Sequence, residues 1–499
     1  MQKTKLIKNS LSAIIQVVIV GVIYLLLYRY LIDTIGIKLL GVWSLIIATT
    51  SLALIANFGI STSIIKFVST YYTRGDYRSL RKLIFTSCIF IIVTYLIISL
   101  VLLLLGNYIL PHFIEKNYIK IALQVLPFSL ISLILNALSG VISSCLDGIQ
   151  KNYIKSYILS FSSIFLFGLS ILLTPKYGLK GLVFAQIFQG FLVLLLSFYY
   201  ISKHLKNVIT LKWNWSNELF KEIINYGLKM QALSFMQMSF EPVTKAFLSK
   251  FGGLAMVGYY EMASRLVSQF RGLIVSANQV IIPVVAEAKE LNNNSIKTLY
   301  IKTFSIILFL NILITSLILV ITPLISKIWI GTIVYFFLFS VVINSVVVFI
   351  NIASNPAYFS YLGEGKLNWL IISYAAIVAI NCVLGYYLGI NFGAYGVVIA
   401  WNVAFLTGSL IIVFSFNKFN NIKWKEICTK NDVYLILISI LFSYFGFKTA
   451  LNYLENKINL LFLCVFVFFS GIYVFVIFKN KNFIFMKNEV FRFLKRKNE

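Results

Sequence analysis

The chain is a succession of apolar blocks, each long enough to cross a bilayer, separated by short polar segments. Few folds tolerate that pattern. A helix needs about 20 apolar residues to span the hydrocarbon. Suitable windows, about fourteen in all, run over 10–33, 38–62, 83–106, 119–145, 154–174, 178–202, 224–249, 254–284, 299–323, 329–355, 367–389, 393–416, 432–453 and 457–479. The composition agrees: 60% of the 499 residues are hydrophobic and 12% are charged, whereas soluble domains are nearer half apolar and a quarter charged. Barrel strands would give a weak ten-residue alternation instead. The expectation is an all-α polytopic membrane protein. The windows 38–62, 119–145 and 254–284 are over-long, which implies tilt or amphipathic extensions. Lys327 and Gly331 interrupt the tenth.

The formal net charge is +27. The basic residues lie between the spans rather than in one domain, which argues against a nucleic-acid partner and for the positive-inside rule. With the N-terminus inside, the inner segments collect Lys66, Arg74, Arg78, Arg81 and Lys82, then Lys203, Lys206, Lys212 and Lys221, then Lys418, Lys423, Lys425 and Lys430, and finally the tail from Lys479 to Lys497. The opposite orientation inverts the bias, so both termini are placed in the cytoplasm. Met1 to Ser10 is basic and runs into an apolar stretch with no early small-residue cleavage site, which reads as a retained first helix. Trp213 and Trp215 sit among lysines and read as an interfacial helix. The longest outer loop, Asn107 to Ile119, leaves no room for an external catalytic domain. Cys88, Cys145, Cys382, Cys428 and Cys464 form no CxxC pair, so neither a disulfide framework nor a zinc site is expected. No cofactor, metal or catalytic residue is assigned. Gly363-Glu364-Gly365-Lys366 is followed by Leu367 and is not an ATP-binding loop.

The two halves repeat. GIKLLGVWS from Gly36 matches GLAMVGYYE from Gly253, an offset of about 217, and YGLKGLVFA from Tyr177 matches FGAYGVVIA from Phe392, an offset of about 215. LDGIQK from Leu146 faces YLGEGK from Tyr361 at that second shift, with Asn136 over Asn351 and Ser139 over Ser354. Six spans per repeat preserve topology, so the halves are parallel repeats about an axis along the membrane normal. The expected division is an N-lobe over 1–207, an amphipathic cytoplasmic linker over 208–223, a C-lobe over 224–417, two further helices over 418–479 and a basic cytoplasmic tail over 480–499. The shared glycines suit tight outer turns and close helix approach.

This layout resembles the multidrug/oligosaccharidyl-lipid/polysaccharide flippase superfamily, and within it the O-antigen and capsular polysaccharide flippases. The resemblance is carried by Asn57-Phe58-Gly59-Ile60 through Thr73-Arg74-Gly75-Asp76-Tyr77, by Gly148-Ile149-Gln150-Lys151, by Val257-Gly258-Tyr259-Tyr260-Glu261-Met262-Ala263, and by Gly363-Glu364-Gly365-Lys366 and Gly393-Ala394-Tyr395-Gly396. It implies a V-shaped pair of lobes around a central cavity. It also implies transport of undecaprenyl-pyrophosphate-linked oligosaccharide to the outer leaflet of a bacterial cytoplasmic (inner) membrane. A polysaccharide polymerase is then an expected partner alongside the lipid-linked oligosaccharide and the bilayer.

Charge inside a membrane is costly and marks functional candidates. Glu241 and Lys245 lie four apart on one face of the seventh span, and Glu261 and Arg265 repeat that spacing on the eighth, with Arg271 beyond. One reading makes Arg265, Arg271 and Lys245 cations for the pyrophosphate, since Arg donates bidentately to phosphate. Glu241 and Glu261 are then titrating carboxylates that couple transport to a proton (H+) or sodium (Na+) gradient. The other reading is structural ion pairing. Arg29, four residues before Asp33, is a further substrate-binding candidate or a snorkelling pair. Tyr24, Tyr28, Tyr259 and Tyr260 suit sugar stacking or an aromatic belt. Asn136, Asn351 and Asn355 suit interhelical hydrogen bonds. Two rivals stand beside the flippase. A drug/cation antiporter of the same superfamily would want an acidic cavity. A membrane glycosyltransferase or polymerase would want paired carboxylates, and only 16 Asp+Glu are present.

Overall fold

A computed structural model describes residues 2–51, 60–205, 215–278, 293–364, 367–457 and 459–484. The helices in order are α1 Gln2–Ile35, α2 Ile37–Ser51, α3 Ile60–Thr73, α4 Tyr77–Ile109, α5 Lys116–Gly148, α6 Asn152–Tyr177, α7 Leu179–His204, α8 Asn217–Gly252, α9 Leu254–Asn278, α10 Asn293–Ile330, α11 Tyr335–Glu364, α12 Asn368–Phe419, α13 Trp424–Ile427, α14 Lys430–Leu454 and α15 Leu460–Lys479. The described parts of the apolar windows are helical apart from short turns such as 331–334, as backbone in hydrocarbon requires. Ten of these helices are long and apolar enough to cross a membrane. Their outer faces are apolar too: Leu96, Ile97, Leu100 and Leu104 on α4 and Val467, Phe468 and Phe475 on α15 are exposed. A soluble helix would carry polar residues there. This is a multi-pass membrane protein.

The count of ten differs from fourteen for identifiable reasons. The windows 367–389 and 393–416 are merged in α12, which breaks at Gly393 (φ 58°, ψ −141°). The window 38–62 is divided between α2 and α3, and 52–59 lies outside the described residues, as do Trp213 and the latter part of 254–284. The charges on α8 and α9 lower their hydropathy below that of the other spans. The tenth window does not begin until α11, because the chain turns at Gly331 (φ 90°).

The repeat is written into the backbone. Gly36 and Gly253, equivalent by sequence, both have φ +82°. Gly178 (φ 57°, ψ −135°) and Gly393 (φ 58°, ψ −141°) are the other equivalent pair. These left-handed turns need glycine. Close approach is repeated as well. A Cβ on Gly41 would overlap the Leu254 carbonyl oxygen, and one on Gly258 would stand 2.7 Å from the Ile37 carbonyl oxygen. The first contact is the mirror of the second under the repeat, so α2 and α9 cross at a local two-fold.

Two compact units emerge, one of residues 1–262 with 374–401, the other of 263–373 with 402–499. In the first, α5 packs on α2, α3, α4 and α7, α1 on α6, and α2, α3 and α4 on α8. Asp76 caps α4 by accepting from the Ser79 amide at 3.0 Å, and hydrogen bonding from Ser79 holds its carboxyl below the ordinary range. In the second, α10 packs on α11 and α14, and α14 on α15. Ile274, Ile307 and Ile352 form a buried cluster that joins α9, α10 and α11.

Candidate functional site

The first unit holds a layer of buried charge where α1, α2, α8 and α9 meet. Lys245 on α8 is 1% exposed. An ammonium cannot be left unpaired at that burial, and its Nζ lies 2.6 Å from Glu261 Oε2 and 2.5 Å from Glu241 Oε1. Glu261 on α9 is itself buried, and its remaining lone pairs are filled by the first repeat. The Tyr28 hydroxyl on α1 donates to Oε1 at 2.6 Å, and the Ser44 hydroxyl on α2 donates to Oε2 at 2.9 Å. Tyr28 is fixed from behind by Trp43, with ring centroids 5.8 Å apart, and the Trp43 indole donates to Gln186 at 3.3 Å. Glu241 differs from Glu261: its side chain is 63% exposed against 6%.

These residues are related by the repeat. Lys245 is the equivalent of Tyr28, Glu261 of Ser44 and Glu241 of Tyr24, each at the offset of about 217. Each of the four residues in the layer lies eight positions from its turn glycine, Gly36 or Gly253, hence about 12 Å along a helix from it. The layer therefore lies at one depth, around the local two-fold of the Gly41 and Gly258 crossing. Between it and the turns, Lys38 reaches Glu115 at 3.6 Å, and Ser249 bonds the Phe113 carbonyl.

The profile of the family described as polysaccharide biosynthesis protein matches residues 6–289. The chain belongs to the polysaccharide biosynthesis protein family. No curated protein matches it in sequence. Among solved structures, the lipid II flippase MurJ in an inward closed conformation is similar with a TM-score of 0.72 and 15% identity, covering 97% of this chain and 100% of that one. An inward-facing multidrug resistance MATE transporter of the MOP superfamily gives 0.69 and 13%, covering 82% and 98%. A Vibrio cholerae MATE transporter gives 0.65 and 14%, covering 85% and 98%. At these identities the likeness establishes the fold, which is MATE-like.

In this polysaccharide biosynthesis protein, three of the six sequence candidates, Glu241, Lys245 and Glu261, come together. The i, i+4 spacing of Glu241 and Lys245 is realised, whereas Glu261 also reaches across to α8. Arg265 and Arg271 fall in the second unit. Arg265 is half-buried. Arg271 Nε donates to Asn351 Oδ1 on α11 at 3.0 Å, its guanidinium lies 6.0 Å from the Phe405 ring on α12, and Asn351 donates on to Ser409 at 3.0 Å. Asn351 thus links helices as expected, while Asn136 bonds Ser132 on its own helix. The Asn355 amide nitrogen is buried without a hydrogen-bond partner among the described residues. Arg29 pairs with Asp33 at 3.1 Å, with both side chains well exposed.

Sequence reasoning missed Ser44, and it placed Tyr28 among sugar platforms or belt aromatics. Tyr28 is fully buried. The signal was present in the repeat: stepping back by its offset from Lys245 and Glu261 lands on Tyr28 and Ser44.

Proposed function

We propose that this protein is a flippase for undecaprenyl-pyrophosphate-linked oligosaccharide, an O-antigen or capsule repeat unit, carrying it from the inner to the outer leaflet of a bacterial cytoplasmic membrane. The support is the family, whose concern is polysaccharide biosynthesis, and a fold in common with a lipid II flippase. The observation that carries the mechanism is the buried layer in which residues of both repeats share one proton-accepting group, Glu261. On this reading the lobes are 1–207 and 224–417, both termini are cytoplasmic, and the layer closes the outer side.

The chemistry follows from the contacts. Glu261 ionised attracts Lys245 and accepts from Tyr28 and Ser44. Glu261 protonated loses most of its attraction for Lys245 and can accept fewer hydrogen bonds. A proton, or a sodium ion that displaces Lys245, therefore weakens the tie between the repeats and favours opening. That is a two-state element biased by a ligand with different affinity for the two states. Lys245, released from Glu261, becomes a cation for the pyrophosphate, together with Arg265, Arg271 and Arg29. Glu241, more exposed, is the first relay for the ion. The test is glycan export in a strain lacking its own flippase. Arg265→Ala and Arg271→Ala are expected to abolish export at unchanged membrane abundance, and Arg265→Lys to retain part of it because the charge survives without the planar fork. Normal export by both alanine variants refutes the cationic site. Drug extrusion without glycan export would make the protein an antiporter instead.

A further inference from the structure

The second unit contains a cleft of about 310 Å³ lined by Ile301, Lys302, Ser305, Ile306, Glu426, Ile427, Thr429, Lys481 and Asn482. Its walls come from the start of α10, from α13 and the cap of α14, and from the segment that follows α15. That last segment is pinned in place. Asn482 is buried and donates to the Ser305 carbonyl at 3.1 Å and hydroxyl at 2.9 Å. The opposite wall is closed by the cap of α14, where Thr429 donates to Asp432 through its amide at 2.9 Å and its hydroxyl at 2.6 Å. Asp432 is thereby buried and occupied.

The charge of the cleft is cationic. Lys302 and Lys481 line it, and Lys423, Lys425, Lys430 and Lys479 are near in sequence on the same elements. The lining carboxylate, Glu426, is taken by Lys297 at 2.7 Å and by the Lys423 amide at 3.2 Å. The hydrogen bond from Lys297 holds the Glu426 carboxyl below its ordinary range. Ile301, Ile306 and Ile427 give the cleft an aliphatic wall, beside the polar Ser305, Thr429 and Asn482 already described. The cleft also sits where membrane spans end: spans begin at Lys297 and Lys430 and finish at Lys479. Phe419, Trp424, Tyr434 and Phe478, close in sequence to the lining segments, are exposed, as aromatics are at headgroup depth.

We infer that this cleft binds the phosphate of an anionic phospholipid, with Lys302 and Lys481 on the phosphodiester and the isoleucines against the glycerol and first acyl carbons. A free anion would gain nothing from the aliphatic wall, and a zwitterionic lipid would bring its own cation to a basic site. The leaflet is the cytoplasmic one on the orientation proposed above; the site itself does not depend on transport. A lipid held here joins α10 to α14 and to the segment after α15, and so fixes the C-terminal helix pair.

The experiment is native mass spectrometry of the full chain in detergent, titrated in separate arms with phosphatidylglycerol, with phosphatidylcholine and with phosphatidylglycerol in the presence of inorganic phosphate. Phosphatidylglycerol adducts are expected to exceed phosphatidylcholine adducts. They should weaken about thirty-fold in Lys302→Ala/Lys481→Ala, from about 1 kcal/mol for each lysine near an anionic surface. Lys66→Ala/Lys82→Ala, two basic residues elsewhere, should leave the adducts unchanged. Should the double alanine variant elute as aggregate, Lys481→Met alone, which keeps the aliphatic stem, should still weaken binding about five-fold. Equal binding of the two lipids, or unchanged binding in the lysine variants, overturns the inference. Displacement of the lipid by millimolar phosphate also overturns it and makes the cleft a simple anion site.

Discussion

Lys245 contacts two carboxylates at almost the same distance, yet the two contacts should differ several-fold in worth. Glu261 is desolvated along with Lys245, and removing one partner of a buried pair costs about 3–5 kcal/mol because the other charge is stranded. Glu241 is far less enclosed by protein, with its side chain 63% exposed, and on the reading that this face opens on a water-filled cavity its pair is worth about 0–1 kcal/mol. Lys245→Met should therefore destabilise by about 3–5 kcal/mol, because it leaves the buried Glu261 without the Lys245 ammonium. Glu241→Gln should cost less than about 1 kcal/mol. Lys245→Met/Glu261→Gln removes both buried charges and should recover most of the loss, since a buried pair can be replaced at little cost. At roughly 2 °C per kcal/mol for a large chain, the apparent Tm in detergent should fall by roughly 6–10 °C in the single lysine variant and by a few degrees at most in the double. The assay is thermal unfolding of purified protein followed by tryptophan fluorescence, run as a double-mutant cycle. A Glu241→Gln loss equal to that of Lys245→Met, or a double variant as unstable as the sum of the singles, would refute the assignment of the buried pair as the coupled unit.

Two further outcomes test the repeat and the topology. Gly41→Ala and Gly258→Ala should each destabilise by about 1–3 kcal/mol, because at both positions the new methyl meets a backbone carbonyl, at Gly258 together with the Ile37 side chain, while Gly140→Ala, with open space at that position, should be neutral or better in the same unfolding assay. Cysteines introduced at Ser79 and Asn420 should label with a membrane-impermeant thiol reagent only from the cytoplasm, and one at Asn391 only from outside; labelling of Asn391 from the cytoplasm overturns the orientation.

How much of this was legible beforehand depended on whether the signal was local. Apolar windows were legible because hydrocarbon dictates both their length and their helicity. The turns at Gly36 and Gly253 were legible because only glycine is at ease at φ +82°. The pairing of Glu241 with Lys245 followed from helical spacing. The partners of Glu261 did not, since Tyr28 and Ser44 lie far away in the chain and neither carries a charge. The windows over α8 and α9 were counted as spans like the others, yet their charges set them apart by hydropathy. Those same charges build the layer. Arg265 and Arg271 stood out because charge inside a membrane is costly; a separation of six residues turns them to different faces, and Arg271 is engaged by α11 and α12.

On the proposed function, the protein moves a pyrophosphate-linked oligosaccharide across a bilayer through a step controlled by Glu261. This is tested most directly in proteoliposomes loaded with undecaprenyl-pyrophosphate-linked oligosaccharide, by measuring how much of the glycan becomes accessible to an external lectin after an ion gradient is imposed. Gradient-dependent exposure is expected from the wild-type protein, with loss of gradient dependence in Glu261→Gln at normal reconstitution. Exposure no faster than in protein-free vesicles, or an unaltered gradient response in Glu261→Gln, would contradict that function.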